Sequence, residues 1–336
     1  MAGRAAGSLA LVKDIGLVGV PFSGKSTLFT ALTRIGSHGG QANQAVVAVP
    51  DPRVEVLAGM ERSKKGVHAQ VRFVDVPGGT SSAHGIARLR EADSLAIVVR
   101  CFGSDASPTA EFEEVRADLI LADVAVIGSA LQKAEKRARG KETDEIAALR
   151  KANAALSAET LLRDAGLTED EQKQLRAIAP LTLKAWVLVA NLEEGTEVPA
   201  ELPEGTVGVY ASIEAETAEM DPEEARALLE EFGVHEPGLE KVIHACYRAL
   251  DLITFLTATE NETRAWEVRR GARAPEAAGV VHSDFERGFI RAEVIPYDEL
   301  VAVGSMDAAR HKGQVRVEGK DYVVQEGDVL YIRFAV

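Results

Sequence analysis

The chain reads Gly19-Val20-Pro21-Phe22-Ser23-Gly24-Lys25-Ser26 near its start, and this stretch decides the fold. An apolar run, residues 15–20, leads into it, and a helical pattern, residues 27–32, follows it. Strand, glycine loop and helix in this order are the context that the phosphate loop G-x-x-x-x-G-K-[ST] requires. The N–H groups of such a loop and of the following helix point at one anion. The stretch therefore predicts a site for the phosphates of a nucleotide.

The residue types of this loop suit that chemistry. Lys25 can reach the β and γ phosphates, and the Ser26 hydroxyl can ligate Mg²⁺. Gly19 and Gly24 leave room for the backbone to approach the phosphates. The residues of the loop that we expect to bind nucleotide are Phe22, Ser23, Gly24, Lys25, Ser26 and Thr27.

Composition limits the class of protein. The chain has 336 residues, of which 46% are hydrophobic and 27% charged, as in globular proteins of two or three domains. No apolar run approaches the length of a membrane span, and residues 1–13 look like a flexible extension. The net charge of −14 argues against diffuse binding to DNA or RNA, so any RNA contact must be local. Cys101 and Cys246 suggest reduced, buried thiols and hence a cytoplasmic protein.

A second motif follows the loop. The strand-like residues 71–76 end in Asp75-Val76-Pro77-Gly78. After a phosphate loop, an Asp at a strand end holds Mg²⁺ through water, and the Gly N–H can meet the γ-phosphate. We therefore expect Asp75 to act with Lys25 in catalysis and with Ser26 at the metal, and Gly78 to contact the nucleotide.

Three further runs have the length of buried strands, at residues 94–102, 183–190 and 207–212. Strands that alternate with helices give a doubly wound sheet, with ligands at the carboxyl ends of the strands. Asn191 and Ser212 fall at such ends, as Asp75 does. The sequence thus predicts an α/β fold with one site at one edge of the sheet.

Residues 111–178 interrupt this alternation with a helical pattern that contains no proline. A break at Gly140 predicts a helical hairpin inserted into the nucleotide-binding domain. Two apolar stripes keep helical spacing, one of Leu121, Val124, Gly128 and Leu131 and one of Ile146, Leu149 and Leu156. The tip, residues 133–141, carries Lys133, Lys136, Arg137, Arg139 and Lys141 against one acid, Glu135. A solvated helix face and a docking surface for RNA or an acidic partner both explain this tip.

The last part of the chain, residues 252–336, reads as a small α+β domain. Short strands are predicted at 253–257, 263–268, 289–295, 314–317, 321–324 and 329–334, with helices at 275–281 and 297–303. Arginines are concentrated in one half of it, as a binding face or as ordinary surface residues: Arg269, Arg270, Arg273, Arg287 and Arg291.

Several stretches together resemble the YchF / Obg-like ATPase family. The most specific are Val49-Pro50-Asp51-Pro52-Arg53, Val99-Arg100-Cys101-Phe102, Leu119-Ile120-Leu121-Ala122-Asp123, residues 285–294 and residues 319–328. The resemblance implies a Ras-like P-loop NTPase domain at 14–110 and 179–251, a coiled-coil hairpin at 111–178 and a β-grasp (TGS) domain at 252–336. It also implies contact with the ribosome or RNA through 252–336, and the charge of the tip 133–141 makes the tip a second candidate for this contact. We expect a monomer that binds no membrane.

The resemblance also bears on the base. GTPases recognise guanine with Asn-Lys-x-Asp, whereas this chain has Asn191-Leu192-Glu193-Glu194, similar to the family's variant for ATP. Without the Asp, the paired acceptor for guanine is missing. The resemblance implies that the chain binds ATP together with Mg²⁺, and that Asn191, Leu192, Glu194 and Ser212 contact the nucleotide.

Two segments depart from the family pattern. Residues 34–48 lack the family's Tyr-Pro-Phe-x-Thr-Ile-x-Pro-Asn stretch, including the Thr that ligates Mg²⁺, and residues 79–85 form a shortened second switch. His84 is a candidate for positioning water, with a solvated loop histidine as the alternative. Two functions therefore stay open, a slow ATPase acting with the ribosome or RNA and a hydrolysis-deficient nucleotide-binding scaffold. GTP binding follows if the reading of residues 191–194 is incorrect, and a metabolic kinase fits these motifs less well.

Overall fold

The computed structural model describes residues 12–33, 43–76, 78–217, 220–234 and 237–335. The expectations for residues 1–11 and for most of the first shortened segment, residues 34–42, lie outside these ranges. The chain divides into a larger unit, residues 13–47 and 72–249, and a smaller unit that includes residues 48–71 and 250–335. Within the described ranges, no helix is long and apolar enough to cross a bilayer.

Strands and helices alternate through the first three quarters of the chain. In chain order they are β1 Lys13–Val18, α1 Lys25–Thr33, β2 Asn43–Ala48, α2 Pro52–Glu61, β3 Gly66–Val67, β4 Gln70–Asp75, α3 Ala83–Glu91, β5 Ser94–Cys101, α4 Pro108–Ala138, α5 Asp144–Ser157, α6 Glu169–Leu175, β6 Ala185–Leu192, β7 Val207–Val209, α7 Ala211–Thr217, α8 Pro222–Glu231 and α9 Gly238–Ala249. The remaining elements are β8 Leu252–Ala258, β9 Thr263–Arg269, α10 Ala274–Val281, α11 Ser283–Arg287, β10 Phe289–Pro296, α12 Tyr297–Val303, α13 Met306–His311, β11 Arg316–Glu318 and β12 Asp328–Phe334.

The larger unit is built on a six-stranded sheet with the order β2-β4-β1-β5-β6-β7. Its pairs β1–β5, β5–β6 and β6–β7 are parallel. Strand β5 lies inside this sheet, and its first six residues are buried. Burial on both faces explains why residues 94–99 read as a continuous apolar run rather than an alternating one. The sheet places the ends of β1, β4 and β6 at one edge.

Helices α4 and α5 form the expected hairpin and pack on each other. Ile146, Leu149 and Leu156 of α5 are buried as predicted, but Leu121 of α4 is 66% exposed. Leu121 was therefore wrongly included in the predicted apolar stripe of α4, and its neighbour Ile120 is buried there instead. Helix α4 packs on the sheet near its start and on α5 further along, so it buries two neighbouring stripes. Their members include Phe112, Val115 and Leu119 against the sheet and Ile120, Ile127 and Ala134 within the hairpin.

The smaller unit contains a mixed sheet with the order β11-β10-β12-β8-β9-β3. Helix α10 packs beside it, and Phe255, Trp266 and Ala277 belong to their shared core. The strand predicted at 321–324 is wrong, because residue 323 forms only an isolated bridge with Arg273. The strand predicted at 314–317 lies at 316–318, and the sequence did not predict α11 and α13.

Residues 48–71 belong to the smaller unit, whereas the sequence placed them in the nucleotide-binding domain. The physical reason is strand pairing, since β3 pairs in parallel with β9 through Gly66 and Thr263. Arg53 of α2 adds ion pairs to Asp51 at 2.7 Å and to Glu326 at 2.6 Å. The chain leaves the larger unit at the end of β2 and returns to it along β4, which ends at Asp75.

Candidate nucleotide-binding site

The loop between β1 and α1 presents unpaired backbone donors. The N–H groups of residues 24–27 form no hydrogen bond with any residue that the structure describes. Helix N-termini leave such donors without partners inside the helix, and here they follow a glycine loop. Gly24 has a φ of +88°, a conformation that L side chains rarely adopt. The loop thus has the donor set that a phosphate needs.

The two glycines of the motif are required by close packing. A side-chain carbon on Gly24 would collide with the side-chain amide of Asn191. One on Gly19 would collide with the carbonyl oxygen of Val98 on β5. Phe22, in contrast, is 88% exposed and has a φ of +66°. The loop is therefore held tightly at both glycines and is open to solvent at its tip.

The Lys25 side chain folds back onto this loop. Its Nζ donates a hydrogen bond of 2.9 Å to the carbonyl oxygen of Val20. Burial lowers the pKa of Lys25, and the carboxylates of Asp75 and Glu111 oppose that effect. The ammonium group is thus partly desolvated, which strengthens its attraction for an anion.

The Ser26 hydroxyl donates a hydrogen bond of 3.0 Å to Oδ2 of Asp75. Asp75 is buried at the end of β4, and Ser26 is exposed in the first turn of α1. The structure thus brings together the two residues that the sequence assigned to a metal. A hydroxyl and a carboxylate are oxygen ligands of the kind that Mg²⁺ prefers. Thr27, the next residue, is exposed beside them.

Asn191 joins three parts of the site. Its Nδ2 donates to the carbonyl oxygen of Ser23 at 3.2 Å, and its Oδ1 accepts from the N–H of Ala211 at 3.3 Å. The side chain of Leu192 is buried in the core, so this residue offers a ligand only its backbone. Glu194 is exposed in the loop after β6. Asn191 therefore fastens the phosphate loop to the start of α7.

The third strand end is shorter than predicted. Strand β7 ends at Val209, and Ser212 lies exposed in the first turn of α7 rather than in a strand. The buried carboxylate of Glu214, which the sequence did not single out, orders this turn. It accepts hydrogen bonds from the N–H groups of Tyr210, Gly238 and Leu239 at 2.9–3.0 Å. Burial raises the pKa of Glu214 although these three donors oppose the rise.

The loop after Asp75 turns tightly beside the phosphate loop. Gly78 and Gly79 have φ values of +79° and +42°, and a 3₁₀ turn, Gly79–Ser81, leads into α3. His84 lies in the first turn of α3 and is exposed, and its side chain forms no hydrogen bond with another described residue. The structure thus brings Gly78 near the site but gives His84 no contact there.

Phe102 is a neighbour of the phosphate loop that the motifs did not identify. A side-chain carbon on Gly24 would lie 3.8 Å from Cε1 of Phe102, just after the carboxyl end of β5. Its position after a buried strand was the available signal. Burial raises the pKa of Cys101 to about 11 and of Cys246 to about 12, so neither thiol is activated as a nucleophile.

Comparison with known proteins places the chain in a family. Residues 14–191 match a family model described as "50S ribosome-binding GTPase", and residues 252–335 match YchF-GTPase_C, described as "Protein of unknown function (DUF933)". The chain is 38% identical to the "Ribosome-binding ATPase YchF" of Bacillus subtilis, over 96% of this chain and 99% of that protein. This chain belongs to the YchF family. The YchF protein of Haemophilus influenzae, with the same printed name, is 37% identical over the same shares.

A solved YchF structure has the same fold. The "Structure of the Schizosaccharomyces pombe YchF GTPase" superposes with a TM-score of 0.84 at 25% identity, covering 98% of this chain and 99% of that chain. The expected α/β fold, a P-loop sheet with a C-terminal domain, is confirmed. The printed names within the YchF family differ in the nucleotide, since the bacterial proteins are called ATPases and the yeast protein a GTPase.

Proposed function

We propose that this YchF-family chain binds ATP with Mg²⁺ and hydrolyses it slowly while acting with the ribosome in the cytoplasm. The observation that carries the proposal is the pairing of Ser26 with Asp75 beside the unpaired N–H groups of residues 24–27. Anion donors and oxygen ligands thus lie next to each other, as a magnesium–triphosphate complex requires.

The residues present fit both groups. The buried Ser23 hydroxyl has no hydrogen-bond partner among the described residues, and Gly19 and Gly24 have no room for a side chain. Ser26 would hold Mg²⁺ directly and Asp75 through water, and the ion would neutralise phosphate charge. Lys25 would leave the Val20 carbonyl to bind the β and γ phosphates. Gly78 would offer its N–H to the γ-phosphate, and His84 remains a candidate to orient water.

We further propose that the chain prefers ATP to GTP. Both side-chain polar atoms of Asn191 form hydrogen bonds within the protein. Asn191 would therefore fix the loops around the base, in addition to any contact with the base itself. Glu194 stands where a guanine-reading Asp is expected, and its longer side chain is exposed. Leu192 and Ser212 would contribute backbone and hydroxyl groups at the edge of the base. The bacterial relatives' name, ATPase, supports this choice.

The ribosome is the proposed partner because the bacterial relatives are named for binding it. We assign the contact first to the hairpin tip. Lys133, Lys136, Arg139 and Lys141 are exposed, and none forms a salt bridge with a described residue. Of the C-terminal arginines, in contrast, three are paired with acids: Arg270 with Asp251, Arg273 with Asp321 and Arg287 with Asp284. RNA phosphates would meet uncompensated charge that is concentrated within residues 133–141 at the tip, rather than spread over the C-terminal domain.

A scaffold that binds nucleotide without hydrolysing it is the second candidate. The observation in its favour is His84, which makes no hydrogen bond toward the phosphate loop. The shortened segment 79–85 offers no other side chain of acid–base character for a water molecule. The hairpin at 111–178 and the C-terminal domain at 252–336 remain part of the proposal, whereas residues 48–71 are assigned to the smaller unit.

Single-turnover hydrolysis separates the two candidates. Radiolabelled ATP is mixed with excess protein, with and without 70S ribosomes, beside the Lys25→Ala variant. We expect slow turnover that ribosomes accelerate and that Lys25→Ala abolishes. Tight ATP binding without turnover in either condition would favour the scaffold, and turnover that persists in Lys25→Ala would contradict the proposed site.

A further inference from the structure

Within the part of the chain that the structure describes, the loop after Asp75 has one hydrogen bond that reaches beyond itself and its own helix. Thr80 Oγ1 donates to Oδ2 of Asp118, on the long helix α4, at 2.5 Å. The other hydrogen bonds of residues 78–82 within the described chain are local, such as Ser81 to the Gly78 carbonyl and Gly85 to the Ser82 hydroxyl. Among the described residues, the Thr80–Asp118 pair is thus the one side-chain hydrogen bond between this loop and α4.

The loop needs such an anchor because its backbone is permissive. Gly78 and Gly79 both have positive φ values, and glycines reach many other conformations at little cost. On one side, the loop lies on the phosphate loop, since a side-chain carbon on Gly79 would be 4.0 Å from the carbonyl oxygen of Gly19. On the other, α3 approaches so closely that a side chain on Gly85 would collide with the Gly79 carbonyl.

Asp118 is held rigidly on the opposite side. Its neighbours in α4, Val115 and Leu119, are 1% and 3% exposed and pack in the core of the sheet. A side chain on a packed helix keeps its position better than one on a loop. The helical insertion thereby supplies a fixed acceptor to the loop that follows the metal-site carboxylate.

We propose that Asp118 is a positioning residue that fixes the loop 78–82 through Thr80, and that discrimination between ATP and ADP by Gly78 depends on this bond. The inference rests on the proposed nucleotide site. ADP has no γ-phosphate for the loop to contact. Loss of the Thr80–Asp118 bond should therefore lower the affinity for ATP and leave the affinity for ADP unchanged. The same bond ties the γ-phosphate loop to the helix whose other end carries the basic tip.

The test compares ATP and ADP affinities of Thr80→Val and Asp118→Ala. We expect ATP to bind about tenfold more weakly in each variant, and ADP to change by less than about twofold, as for one hydrogen bond to a charged group. The double variant should be no weaker than either single one, because the same interaction is removed. Thr80→Ser and Asp118→Asn keep a donor and an acceptor and should restore most of the ATP affinity.

Controls and a second readout make the outcome decisive. Thr206→Val and Glu113→Gln remove a similar hydroxyl and an α4 carboxylate away from the loop, and should leave both affinities unchanged. Hydrogen exchange without nucleotide should rise at residues 78–82 in Thr80→Val and in Asp118→Ala, and in neither control variant. If the ratio of ATP affinity to ADP affinity stays at the wild-type value in Thr80→Val and Asp118→Ala, the inference about Asp118 is overturned. The proposed nucleotide site is not affected by that result. Wild-type protein that binds neither nucleotide contradicts the proposed function and the inference with it.

Discussion

The Ser26 hydroxyl lies 3.0 Å from Oδ2 of Asp75, and this contact joins the two motifs that define the site. Ser26 lies in the first turn of α1, after the phosphate loop that follows β1, and Asp75 ends β4, the neighbouring strand of the sheet. Parallel strands bring such ends to one edge, so the contact follows from the fold. The two residues that we propose as metal ligands are therefore held side by side by the fold itself.

Asp75→Asn should reduce the Mg²⁺ dependence of ATP binding. The amide keeps the hydrogen bond from Ser26 in reach but removes the charge that orders water around the ion. We expect ATP affinity at millimolar Mg²⁺ to fall about tenfold, and affinity in EDTA to stay within about twofold of wild type. Isothermal titration calorimetry across a Mg²⁺ series measures both, and an unchanged Mg²⁺ dependence would contradict the assignment.

Gly24→Ala should abolish nucleotide binding through a collision that a second substitution relieves in part. The new methyl group meets the Asn191 amide, and the φ of +88° adds strain of about 1 kcal/mol or more. In an Asn191→Ala background the collision is removed and only the strain remains. We therefore expect Gly24→Ala to cost less ATP affinity in that background than in the wild type. Equal losses in the two backgrounds would show that the glycine and Asn191 act separately.

Glu214→Ala should destabilise the larger unit. The buried N–H of Gly238 and the partly buried N–H groups of Tyr210 and Leu239 lose their acceptor, which costs about 3 kcal/mol of unfolding free energy. The pKa of Glu214 is raised, so the folded state binds its proton more tightly than the unfolded state. Its contribution is therefore largest below the ordinary pKa of 4.5 and declines as pH rises through the folded pKa.

Urea unfolding of wild type and Glu214→Ala at matched pH values between about 4.5 and 8 checks this sign. The stability difference between the two proteins should shrink as pH rises. A difference that grows with pH would mean that the carboxylate is stabilised in its ionised form by its three donors.

Neutralising the hairpin tip should weaken ribosome binding and its dependence on salt. In Lys136→Gln/Arg139→Gln, two charges without salt bridges are lost, so fewer counterions are released on binding. The slope of log affinity against log salt should fall by about 1.4 to 1.8. The control Lys173→Gln/Arg226→Gln removes two charges that are already paired with Asp170 and Glu230. Pelleting assays over a salt series measure both, and equal slopes in the two variants would exclude the tip.

Local patterns predicted the parts of the site that local structure creates. Strand, glycine loop and helix around Lys25 follow from residues that are adjacent in sequence, and Asp75 follows from a strand end. The hydrogen-bond partners of Glu214 could not be predicted in this way. Its donors at Gly238 and Leu239 meet it only through the packing of α7 against α9.

Tertiary contacts also explain the errors in the fold. Periodicity found the α4 helix but favoured Leu121, because a helix with two packing partners has no single apolar stripe. Strand β3, within residues 48–71, pairs with β9, which is distant in the sequence, so adjacency assigned the whole segment to the other domain. Ser212 was assigned to a strand because Val207–Val209 is too short for its pattern to show where α7 begins.

The affinity of the chain for ATP relative to GTP shows whether this site selects ATP, as we propose. A fluorescent ATP analogue is displaced by ATP or GTP in the presence of Mg²⁺, with Lys25→Ala as the control that binds neither. We expect ATP to compete at least about tenfold better than GTP, because the Asn191–Glu194 turn lacks the acceptor pair for guanine. GTP that competes as well as ATP, or better, would contradict it.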